Sequence, residues 1–139
     1  CMDAIYKAKA TVTGGRSGHV RTADGVLDMD LRPPKEMGGE EGYANPELLF
    51  AAGYAACYNS ALMLAARRKR LDADNAEVTV TIGIDRDDTS YKLSARIDVK
   101  FFGIDDHDAQ YLIEEAHKLC PYSKATRGNV DVELHYTKG

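Results

Sequence analysis

The stretch that decides the fold is NPELLFAAGYAAC at residues 45–57, continued by YNSALMLAARRKR to residue 70. Asn45 suits a helix N-cap, Pro46 the first helical position and Glu47 the first turn, where an acid meets the free N–H groups. From there to Ala66 nearly every side chain is apolar or small. A helix predicted over 46–70 therefore has no wet face and belongs at the centre of the molecule or of an oligomer. Arg67, Arg68, Lys69 and Arg70 close it with cations that complement the macrodipole. Gly53 interrupts it, and Glu47 and Cys57 would stand about 15 Å apart on a straight helix. The expectation is a break near Gly53 that puts Cys57 in the first turn of a second segment; the alternative is that Gly53 only permits close packing.

Alternation of apolar and polar residues surrounds this helix with strands. Before it, strands are expected over 5–13, over 19–22, and around Leu27, Met29 and Leu31, with Asp24-Gly25 as a hairpin turn. Pro33 and Pro34 stop the pairing, and a Gly-rich loop runs from Lys35 to Tyr43. After it, Val78 to Ile84 and Tyr91 to Phe101 alternate, and Val130 to Tyr136 forms a last strand. Between these, 105–119 repeats apolar residues at helical spacing (Ala109, Leu112, Ile113, Ala116, Leu119) with acids in its first turn. Cys120-Pro121 ends that helix, because the residue before a proline leaves the helical region. The order makes the chain α+β, with mostly antiparallel strands grouped against helices. No linker or repeat divides residues 1–139, so one domain is expected.

Composition narrows the function. Hydrophobic content of 44% and charged content of 29% are those of a globular protein, and the net charge of −4 speaks against a nucleic-acid partner. No apolar run reaches the roughly 18 residues of a membrane span, and the N-terminus lacks a secretory layout. Cys1 is assigned no role. Cys57 and Cys120 are too few for a secreted disulfide scaffold. In a reducing compartment such a pair is inert core, metal ligation or redox chemistry.

Small residues line the helix around Cys57, which lets another segment approach its sulfur; a buried structural thiol has the same surroundings. Cys120 sits at a helix boundary, 63 positions away, so the two meet only through the fold. His117 and Cys120 share a helical face, which leaves a metal site with Cys57, or a Cys–His hydrolase, conceivable but short of a ligand or an orienting group. Arg16 stands in GGRSG at residues 14–18, where three glycines make a turn able to aim one guanidinium. His19, His107 and His135 read as solvated. Leu49, Phe50 and Tyr54 offer an apolar wall beside Cys57.

Three stretches, AKATVTGGRSG (8–18), NPELLFAAGYAAC (45–57) and HKLCPYSKATRGN (117–129), resemble the organic hydroperoxide resistance branch of the OsmC/Ohr family. The order of elements between them fits, so the resemblance covers essentially the whole chain. It implies antiparallel sheets around a buried central helix and an intertwined homodimer with sites at the subunit interface. It implies a cytoplasmic thiol peroxidase for organic hydroperoxides, with Cys57 peroxidatic and Cys120 resolving through a disulfide. Arg16 would steady the thiolate and Glu47 would orient Arg16. Leu49, Phe50 and Tyr54 would receive the organic tail. No metal, haem or flavin is implied, and lipoyl groups on proteins would return the electrons. Against this stands a thiol-based sensor or a dimeric binder of apolar ligands, which would not turn over.

Overall fold

The alternation over 5–13 yields a shorter strand than its pattern predicts. In the computed structural model, which describes residues 4–139, only Thr11–Thr13 pairs, as β1. Its partner β2 (His19–Arg21) is equally short, so three registered pairs exhaust the contact. Residues 5–10 are exposed and outside any described strand. Antiparallel β3 (Asp28–Asp30) joins β2 on its other side. The turn between them is tied by Asp24, whose carboxylate accepts from the Val26 N–H and the Thr22 hydroxyl, and Gly25 takes a left-handed φ of 77° there. These strands belong to the first of two compact units, which runs to Pro46. The expected Gly-rich loop contains one 3-10 turn, Lys35–Met37.

The second unit runs from Glu47 to Gly139. Its sheet has the order β4-β5-β6, from β4 (Glu77–Arg86), β5 (Tyr91–Phe101) and β6 (Asp131–Lys138). β4 and β5 form an antiparallel hairpin in which Val80 faces Ile97 and Ile82 faces Ala95. β6 pairs with β5 in parallel, setting Leu134 beside Ile97 and Tyr136 beside Val99. The other pairings among the described strands are antiparallel, so the sheets are mostly antiparallel, as expected. A parallel neighbour needs a crossover, and two helices fill this one, α2 (Asp106–Leu119) and α3 (Pro121–Thr126). Asp105 caps α2 by accepting from the Asp108 N–H at 2.8 Å. The sequence reading ended at Cys120 and missed α3, which opens with Pro121 at its first position.

The apolar helix is α1 (Pro46–Arg68), 23 residues without interruption. The expected break at Gly53 does not occur. A Cβ on Gly53 would lie 2.8 Å from the Tyr122 hydroxyl and 3.3 Å from its ring, so the missing side chain admits Tyr122 against the helix. The helix stops where Arg70 turns left-handed (φ 59°) and the Leu71 N–H reaches back to the Ala66 carbonyl. Tyr54, Tyr58, Ala61, Leu62, Ala65 and Ala66 are buried, in one core cluster with Ile97, Val99, Leu112 and Ile113. Ala52, Ala56, Ser60 and Leu64, four apart on one face, are exposed. Despite Asn59 and Ser60, an 18-residue window of α1 has a mean hydropathy of 1.4, enough in length and composition to cross a membrane. That corrects the expectation that no apolar run reaches the length of a membrane span. The face holding Tyr54, Tyr58 and Leu62 packs into protein, as in a core helix.

Candidate active site

Cys57 lies in the middle of α1, on a half-buried face. The Cys120 thiol and the backbone N–H of Tyr122 stand beside its thiol, close enough to act on its ionisation. Cys120, with no exposed surface, ends α2 and serves as N-cap residue of α3, but its side chain makes no capping bond. The Tyr122 N–H is one of the first-turn donors of α3 left without an intrahelical acceptor, and it favours the ionised form of Cys57. A helix N-terminus does face the sulfur, as a break in α1 was expected to arrange. It belongs to α3. The sequence signal was Pro121, which marks a helix start as readily as a helix end.

Burial pushes the Cys57 thiol up from its ordinary range, the Tyr122 N–H pulls it back down, and the neighbouring Cys120 thiol raises it further. Both thiols are reduced. Cys1 lies outside the described residues.

Around the pair sits a buried polar chain that the sequence reading did not foresee. The Tyr54 hydroxyl lies 2.7 Å from Ser123 Oγ and 3.3 Å from Thr126 Oγ1. Ser123 Oγ continues to His117 Nδ1 at 2.8 Å. Ser123 and Tyr54 have no exposed surface. Burial and the charge of Arg127 push the His117 imidazole below its ordinary value. His117 therefore pairs with a serine, where a metal site or a Cys–His dyad would have it face sulfur. Among the described residues no group of three or more His, Cys, Asp or Glu side chains is placed to hold a metal. Arg127 donates to the His117 carbonyl at 2.7 Å and ties the far end of α3 to α2.

Phe50, Tyr54 and Tyr122 form an aromatic triangle with centroids 5.7–6.0 Å apart. Phe50 and Leu49 are half-buried, and Tyr54 lies wholly inside. Glu47 occupies the first turn of α1.

Arg16 is held in the first unit by a 3-10 turn, Gly15–Ser17. Gly14 (φ 88°) and Gly15 (φ 60°) take left-handed backbone that a side chain resists. A Cβ on Gly18 would come within 1.8 Å of the Thr13 carbonyl. Arg32 clamps the turn by donating to the Ser17 and Gly18 carbonyls, with its guanidinium over the Tyr43 ring. The glycines thus fix the loop around Arg16.

Residues 38–135 match the family described as OsmC-like protein. A Staphylococcus epidermidis protein called organic hydroperoxide resistance protein-like 2 is 46% identical over 138 residues, covering 97% of both chains. Organic hydroperoxide resistance protein OhrB of Bacillus subtilis is 44% identical over 132 residues, 94% of this chain and 97% of its own. The crystal structure of an organic hydroperoxide resistance protein from Legionella pneumophila superposes with a TM-score of 0.91 at 41% identity, over 97% of this chain and 99% of that one. With its two cysteines in contact where α1 meets the α2–α3 junction, and with relatives matched along nearly its whole length, this chain belongs to the OsmC/Ohr family.

Proposed function

We propose that the protein is a thiol-dependent peroxidase that reduces organic hydroperoxides to alcohols. The observation that carries this reading is the neighbouring pair Cys57 and Cys120, two free thiols 63 positions apart brought together by the fold. The relatives' names, which speak of organic hydroperoxide resistance, agree with it.

In the first step Cys57 thiolate attacks the distal peroxide oxygen. The O–O bond breaks, the sulfur is oxidised to a sulfenic acid, and the alkoxide takes a proton and leaves as alcohol. In the second, Cys120 thiolate attacks the Cys57 sulfur, an S–S bond forms and hydroxide departs as water once protonated. A dithiol then exchanges with the disulfide, returning both cysteines as thiols and leaving as its own disulfide. A lipoylated protein is the proposed donor.

Burial works against the first step, since a thiol of ordinary pKa is only a few per cent thiolate at neutral pH and desolvation lowers that fraction. The Tyr122 N–H offsets part of the cost. Arg16 is the proposed source of the rest, with Glu47 orienting it. An unbroken α1 keeps Glu47 about 15 Å from Cys57, farther than one guanidinium spans. Arg16 engaging both therefore calls for a homodimer in which two subunits complete each site. Leu49, Phe50 and the ring of Tyr54 supply apolar surface for the organic tail, which favours alkyl or fatty-acyl hydroperoxides over hydrogen peroxide. Thiol chemistry of this kind operates in a reducing compartment, the cytoplasm.

The test is steady-state consumption of cumene hydroperoxide with reduced lipoamide as donor. Many equivalents consumed per subunit are expected. Consumption that stops at one equivalent would make the protein a sensor rather than an enzyme.

A further inference from the structure

The exchange reaction makes no use of the buried hydroxyl chain. That chain does touch every helix that carries the site. Tyr54 belongs to α1, three residues from Cys57; His117 lies in the last turn of α2; Ser123 and Thr126 belong to α3. Ser123 Oγ stands at the junction, 2.7 Å from Tyr54 and 2.8 Å from His117. Thr126 donates to the Ser123 carbonyl at 3.2 Å, so Tyr54 supplies the proton for its own contact with Thr126. No buried side-chain polar atom among the described residues lacks a partner. Breaking the chain thus leaves a desolvated hydroxyl unpaired, which costs more than the bond itself.

α3 has six residues and no side-chain N-cap bond. A helix that short does not hold its own position. What fixes it against α1 is the ring of Tyr122 over Gly53 and against Phe50, together with these hydroxyls. We infer that Tyr54 and Ser123, with His117 behind them, are positioning residues that hold Cys120 at disulfide-forming distance from Cys57 by anchoring α3 to α1 and α2. Their quantitative effect is on the effective concentration of one thiol at the other, and so on the reduction potential of the pair.

This inference rests on the exchange proposed above, and the experiment separates the two. The parent, Tyr54→Phe and Ser123→Ala are equilibrated with mixtures of reduced and oxidised dithiothreitol, without peroxide. The Cys57–Cys120 pair gives two electrons and two protons to the oxidised reagent, and the disulfide fraction is read by mass after thiol trapping. Loss of the anchor lowers the effective concentration about tenfold in each variant, which makes the potential less negative by about 30 mV. Tyr54→Phe keeps the ring and so covers the case in which Ser123→Ala does not fold. A purely structural hydroxyl lowers the melting temperature and leaves the potential alone. A potential within twofold of the parent's constant, about 9 mV, in the folded variants overturns the inference. Failure of the parent to turn over peroxide, with the shifts present, removes only the peroxidase reading.

Discussion

In the proposed cycle Cys57 and Cys120 have different roles, and substitution separates them. Cys57→Ser is expected to abolish hydroperoxide consumption. Cys120→Ser should release one alcohol per subunit and then stall or over-oxidise, because no second thiol intercepts the sulfenic acid. Burst measurements of alcohol release check both, and multiple turnovers by Cys57→Ser would reverse the assignment. A different residue governs a pH effect. His19 sits between Asp30 (2.8 Å from Nδ1) and Asp28 (2.5 Å from Nε2), and these hydrogen bonds raise its pKa, Asp30 foremost. A raised folded pKa gives stability that is present below the ordinary value near 6.5 and is lost as pH climbs through the raised one. Replacing His19 with Gln should therefore lower the melting temperature more at pH 5.5 than at pH 9. Equal losses at both would show that the charge contributes nothing. His19 remains partly solvated, as its sequence suggests; the register that pairs it with Asp30 across β2 and β3, which sequence alone does not show, brings the carboxylates to the ring.

Secondary-structure elements were legible to the extent that periodicity reports them. α1, α2 and the β4–β5 hairpin lie where their patterns predict, because each buries one recurring face. α3 was not legible: six residues hold less than two turns, and Pro121 was read only as a stop. At Gly53 the sequence leaves two readings for a related reason, since a glycine in a helix signals a break or a close neighbour alike and only the neighbour's position decides. That position makes a prediction. Alanine at 53 gains about 1 kcal/mol of helix propensity, yet its Cβ would meet the Tyr122 ring. In the parent the two effects oppose each other. In a Tyr122→Ala background the clash is gone, so Gly53→Ala should stabilise by about 1 kcal/mol there and by clearly less in the parent. Denaturant melts of the four proteins give the coupling, and additive values would mean that Tyr122 does not rest on Gly53. The Asp105 cap offers a plainer case: Asp105→Ala should cost about 1 kcal/mol in the same melts.

At the scale of the whole molecule, α1 carries more apolar surface than the described residues cover. Ala52, Ala56, Ser60 and Leu64 are exposed along it, with Leu64 at 42%. If that face is where a second copy sits, sedimentation should show dimers at low micromolar concentration, and Leu64→Glu should shift them to monomers with loss of turnover; a fully active monomer would end the two-subunit site. The long reach from α1 to the α2–α3 junction has a separate consequence, for heat rather than for chemistry. A bond between Cys57 and Cys120 closes a loop of 63 positions, and in the unfolded chain such a loop forfeits about 4 kcal/mol of conformational entropy. Each catalytic cycle would then pass through a form markedly harder to unfold than the one before it. Starved of reductant, the protein should accumulate in its most heat-resistant state, so that a melting curve taken on whole cells under peroxide stress reads out how far the supply of dithiol has fallen behind.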